Sequence, residues 1–110
     1  MKTQWKRSRL IKKLKSVSIQ GDDAFFKHSE DWNGSKGYIW TGGEGDPSMK
    51  VNGFEFGMFS YWTGVTGGFP YDKNSVYDDF GTLKEVTKIL DEADWHSEWY
   101  DGGTMMIYPN

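Results

Sequence analysis

The tightest constraint on how this chain can fold is the source of its large apolar side chains. Aliphatic residues are few, and the bulk comes from six Trp, six Tyr and seven Phe in 110 residues. A buried aromatic side chain removes about 150–250 Å² from water. Such a set can build a core although only 36% of the chain is hydrophobic and its mean hydropathy is −0.72. Chains that stay disordered lack this apolar area and cannot offset the entropy of ordering. A folded unit is therefore expected, and the length suits one domain. No apolar run approaches the roughly 20 residues of a membrane span. The absence of Cys removes disulfides, thiolate metal sites and a cysteine nucleophile. No apolar stretch near the N-terminus resembles a secretory signal, so a cytoplasmic location is the default expectation.

Charge divides the chain sharply. Residues 1–16 hold seven of the 13 bases and no acid, whereas all 16 acids follow. This reads as a basic arm, 1–16, on an acidic, aromatic-rich body, 17–110. Leu10, Ile11 and Leu14 share one helical stripe, and Lys6, Arg9, Lys12 and Lys13 lie opposite. A short amphipathic helix is expected, stable when docked, since an isolated helix under about 15 residues is marginal in water. Such an arm could brace the acidic body, trail in solvent, or place Lys6, Arg7, Arg9, Lys12, Lys13 and Lys15 on the phosphates of a nucleic acid.

Along the body, Val17 and Ile19 alternate with polar neighbours and predict a strand over 15–20. A turn follows at 21–23, then a loop over 24–34. Tyr38, Ile39 and Trp40 predict a strand over 36–41, and Gly42 to Pro47 a flexible acidic loop. Asn52-Gly53 between two apolar stretches is the signature of a type I′ hairpin, with its second strand expected to run from Phe54 to Trp62. Residues 63–78 read as loop. Thr82 and Glu85 form a T-x-x-E capping box ahead of a helix over about 82–93, whose stripe is Leu83, Val86, Ile89, Leu90 and Ala93. Two strands, 95–100 and 105–108, close the pattern around Asp101-Gly102-Gly103. The fold class expected is α+β: a mostly antiparallel sheet, one well-capped helix packed on it, and a short basic N-terminal helix.

Catalytic and metal signatures are weak. His96 and Glu98 share one side of a strand, and His28 lies near Glu30 and Asp31, but ordinary strand alternation explains such pairs. The Asp72–Asp79 stretch lacks the glycine and a liganding oxygen of a calcium loop. Thr41–Gly45 lacks the Lys-Ser/Thr of a phosphate cradle. No enzyme, cofactor or metal is expected. Two features point instead to binding. Asp78, Asp79, Asp91 and Asp94 gather around the predicted helix and offer negative charge to a basic partner surface. Trp62, Trp95 and Trp99, with Tyr38, Trp40 and Tyr61, are candidate aromatic anchors, because twelve Trp and Tyr exceed what so small an interior holds with every polar tip paired. The reading that follows is a small non-enzymatic protein-interaction module. Its sharper form is an inhibitor whose acidic surface competes with nucleic acid, analogous in size and charge alone to compact acidic phage proteins that block defence nucleases. The alternative is a nucleic-acid-binding accessory protein that uses the basic arm.

Overall fold

A computed structural model describes residues 3–21, 25–43, 47–60, 76–78 and 81–110. Its elements are helix α1 (Arg7–Val17), strand β1 (Phe26–His28), a 3₁₀ turn (Ser29–Asp31), strands β2 (Ile39–Gly42), β3 (Ser48–Val51) and β4 (Phe54–Gly57), helix α2 (Lys84–Ala93), and strands β5 (Trp95–Asp101) and β6 (Thr104–Pro109). The α+β expectation holds, with two helices among the described residues and antiparallel strand pairs throughout.

The basic lead-in is helical because Lys, Arg and Leu lose little side-chain freedom in a helix and no Gly or Pro interrupts them. Leu10 and Leu14 are fully buried, and Ile11 and Val17 pack beside them. Val17 therefore continues the Leu14 stripe one turn on, and the strand expected over 15–20 does not form. Only two alternating positions supported it, fewer than the helical stripe offers. The chain leaves α1 at Ser18 and turns through Gly21, at φ +62, whose N–H donates to Ser18 Oγ.

The main sheet has the order β1-β2-β6-β5, and a separate hairpin pairs β3 with β4. Asn52 and Gly53 both take positive φ, +53 and +86, as the type I′ turn requires. The strand after that turn ends at Gly57; beyond it Phe59 makes a single bridge to Thr82. The main sheet has two unlike faces. Register aligns Phe26, Thr41, Met105 and Trp99 across one row, with Ile39, Ile107 and Ser97 in the next. This face joins Leu10, Leu14, Val86, Leu90 and Ala93 of the two helices in the hydrophobic core. The opposite face carries Lys27, Trp40, Met106 and Glu98 in register.

Helix α2 forms where its apolar stripe predicts, but without the capping box. Its N-cap is Leu83, at φ −52 and ψ 135 and with no side-chain cap. Thr82 is drawn into strand-like bridging, and its Oγ1 lies 3.0 Å from Ser97 Oγ. Asp78 accepts the Thr82 N–H instead, at 3.0 Å, and tertiary contacts override the local signal.

Gly42 and Gly43, expected in a flexible loop, are buried where β2 passes the β5–β6 turn. A Cβ placed on Gly43 would collide with the Gly103 carbonyl carbon and stand 2.7 Å from Thr104 N, both backbone atoms that cannot swing aside. Gly43→Ala is expected to destabilise the fold by about 1–3 kcal/mol through overpacking, read as a fall in the urea midpoint; an unchanged midpoint would show that β2 and the turn can separate without cost.

Candidate binding cleft

A cleft of about 410 Å³ lies between α2 and the outer edge of β5, lined by Asp78, Thr87, Leu90 and the consecutive residues His96, Ser97, Glu98 and Trp99. Thr87 and Leu90, nearly one turn apart on α2, form one wall. The Asp78 carboxylate is held there, accepting from Thr82 N and, at 2.6 Å, from Thr87 Oγ1. Glu98 is the more accessible carboxylate, its side chain 64% exposed. The described lining thus has two carboxylates, an apolar floor of Leu90 and Trp99, and no Lys or Arg. His96 stands at the rim, with Nδ1 2.6 Å from Asn110 Oδ1 and Nε2 3.5 Å from Glu98 Oε1. The cleft hydroxyls face Thr82 and Asp78 rather than the imidazole. A hydroxyl–imidazole pair, which nucleophilic catalysis would use, is therefore not formed among the described residues. Nor do any three metal-ligating side chains gather among them.

The sequence-predicted residues distribute unevenly. Of the acids, Asp78 enters the cleft, whereas Asp94 sits at the other end of α2, in left-handed geometry (φ +63), its carboxylate accepting from Asn110 Nδ2. With a rise of about 1.5 Å per residue, the seven residues from Thr87 to Asp94 set these ends about 10 Å apart. Asp91 is exposed in the last turn, and Asp79 lies outside the described residues. Of the aromatics, Trp99 lines the cleft and packs edge-on against buried Phe59. Trp95 is corrected to a core residue: it is 4% exposed, and its Nε1 donates to the Trp5 carbonyl at 2.9 Å. Tyr61 and Trp62 lie outside the described residues.

Other aromatic side chains gather on the sheet face that neither helix covers. Tyr38 packs edge-on against Tyr108, His96 lies 5.7 Å from the same ring, and Trp32 meets Tyr100 at 4.9 Å. Burial holds the Tyr108 hydroxyl above its ordinary pKa, and the Glu98 charge adds to it. Trp40 lies under the Lys27 ammonium, its Nε1 enclosed with no hydrogen-bond partner among the described residues. Tyr38 and Trp40 were legible as candidates. Tyr100 was not singled out, although it alternates with His96 and Glu98 on the polar side of its strand.

The basic residues of α1 are already divided between internal and outward roles. Arg7 pairs with Glu30 at 2.6 Å and donates to the Tyr38 carbonyl, and Arg9 stacks 3.9 Å over the Trp5 ring. Lys6, Lys12 and Lys13 are exposed. Lys12 and Lys15 border an open groove with Ser8, Ser16 and His28. The hydrogen bond from Arg7, helped by backbone N–H groups, lowers the Glu30 carboxyl from 4.5 to about 2. Because the folded pKa is the depressed one, the stability this pair contributes is complete above the ordinary carboxylate range and is lost as pH falls through the folded value. Melting temperature is expected to drop between pH 4.5 and about 2, less steeply in Glu30→Gln; parallel curves for the two proteins would dissociate Glu30 from acid stability.

Comparison with family models, with curated proteins and with solved structures finds no match to this chain.

Proposed function

We propose that this chain is a protein-interaction module without catalytic activity, and that the cleft between α2 and β5 receives a positively charged segment of a partner protein. The observation that carries this reading is the chemistry of the lining: carboxylates of Asp78 and Glu98 over an apolar floor, with no Lys or Arg among the described lining residues. Negative charge at a concave site attracts and orients a cationic ligand, and the aromatic floor adds contact area. Where the captured segment serves its owner in holding nucleic acid, the two ligands exclude one another, and binding becomes inhibition.

Polylysine titrated by calorimetry supplies the test. Glu98→Lys should weaken binding about fivefold, as reversal of one exposed charge does. Glu92→Lys, an equal charge change on exposed α2 surface outside the cleft lining, should have a smaller effect. Equal losses in both variants would mean that only overall charge matters, and the cleft reading would fall.

A second reading rests on the α1 groove, where Lys12 and Lys15 stand with Ser8 and Ser16 on the helix's outward side. Phosphate contacts there would make nucleic-acid binding steeply salt-dependent through counterion release. Because Leu10 and Leu14 belong to the core, deleting residues 1–16 would disrupt the fold, so charge substitution is the proper probe. Lys12→Glu combined with Lys15→Glu should abolish any mobility shift of single-stranded DNA at low salt; a shift that persists would exclude this groove as the contact.

A further inference from the structure

We infer that His96 is a proton switch on the cleft: the neutral ring leaves Glu98 to a cationic ligand, and the protonated ring claims Glu98 for itself. The inference rests on the cleft reading above and adds its regulation. A chain of hydrogen bonds decides which nitrogen of His96 carries hydrogen. An ionised carboxylate can only accept, so Asn110 turns its Nδ2 toward Asp94 Oδ1, at 3.0 Å. The Asn110 Oδ1 is thereby aimed at His96 Nδ1, 2.6 Å away, and an amide oxygen also accepts only. His96 therefore bears its hydrogen on Nδ1. In the neutral ring Nε2 is then a bare lone pair, and it stands 3.5 Å from Glu98 Oε1. Two acceptors face one another. A proton on Nε2 turns that opposition into a charge-assisted contact.

The surroundings suit this use of a proton. Among the described residues, the titratable groups that face His96 are Glu98 on its own strand, Asp78 on the α2 side of the cleft, Asp94 through Asn110, and Tyr108, its cross-strand partner. The Tyr108 hydroxyl, held above its ordinary pKa, stays uncharged. Helix α2 brings the uncharged Thr87 and Leu90 to the lining, and the chain ahead of α1 brings only Gln4 to the Asn110 carbonyl. No Lys or Arg among the described lining residues opposes protonation. Both members of the pair remain open to solvent, with side chains 43% and 64% exposed, so proton and ligand reach the same carboxylate. Their binding is then reciprocal: a bound cation disfavours the proton by the factor with which the proton disfavours the cation. The partner this fits is a basic segment captured at neutral pH and released in mild acid.

Polylysine titrated by calorimetry at about pH 7.5 and about pH 5.5 tests this. Between those values imidazole is the side chain whose charge ordinarily changes, while carboxylates stay ionised and lysine stays protonated. Binding should be about threefold weaker at the lower pH, the scale of one exposed ion pair. The chain's other histidine, His28, lies in the α1 groove, so His96→Gln separates the two and should bind polylysine equally at both pH values. The unmutated protein gives a second readout: by proton NMR, the titration curve of the His96 ring should move to lower pH by the same factor when polylysine is bound. Equal or tighter binding at the lower pH, with Glu98→Lys still weakening it, would overturn the switch and leave the acidic cleft standing. A pH dependence that survives in His96→Gln, or a His96 ring titration that polylysine does not move, would overturn the switch as well. Polylysine binding that is absent, or that ignores Glu98→Lys, would remove the cleft reading itself.

Discussion

The structure depends on the docking of a highly charged helix by very few apolar atoms. Leu10 and Leu14 reach the core from α1, and burying each contributes about 1.5–3 kcal/mol relative to exposure. Backbone contacts then anchor the chain ahead of the helix. Trp5 N–H donates to the Ala93 carbonyl, Trp95 Nε1–H donates to the Trp5 carbonyl, and Gln4 Nε2 reaches the carbonyls of Asp94 and Asn110. Segments about ninety residues apart in sequence thus meet where α2 passes into β5. What the charge pattern presents as an appendage is one wall of the interior.

That docking changes how the charges should be understood. Both arginines of α1 are consumed by the fold, Arg7 by Glu30 and Arg9 by the face of Trp5. Exposed pairs and cation–π contacts add modest stability, yet they fix the helix's rotation and determine which lysines point outward. The acids are likewise divided. Asp78 holds the start of α2, and Asp94 joins its end to Asn110. A broad negative patch built from both is replaced by a narrower arrangement in which Asp78 and Glu98 border one cleft. The sheet face turned away from the two helices, with Tyr38, Tyr100 and Tyr108 close together, lies around the edge from that cleft and shares Glu98 and His96 with it.

How much of this could be read from the residues alone depended on the range of the interactions. The Asn52-Gly53 turn, the α2 stripe and the final pair of strands were legible because each is decided by neighbours in sequence. The capping box was misleading because Thr82 finds Ser97, fifteen positions away. Gly42 and Gly43 resembled a loop because nothing local announces the backbone of Gly103 beside them. The start of α1 was plain, but its extent was not: Val17 suited a strand's alternation as well as a helix's stripe, and only the core chose. At the site, charge made Asp78 visible. Trp99 and Trp95 looked equivalent by alternation, and the hydrogen bond to Trp5 separates them.

The position of β6 carries a consequence for how the molecule comes into being. It is the last of the described strands, yet it lies between β2 and β5 in the sheet. During synthesis, β1 and β2 can meet as a small ribbon and β3 and β4 as another, but β5 gains its strand partner among the described residues only when β6 emerges. Pairings so distant in sequence delay the loop-closure reward and slow folding. The protein should therefore mature in one late, concerted event, with the cleft beside β5 among the final surfaces to take shape.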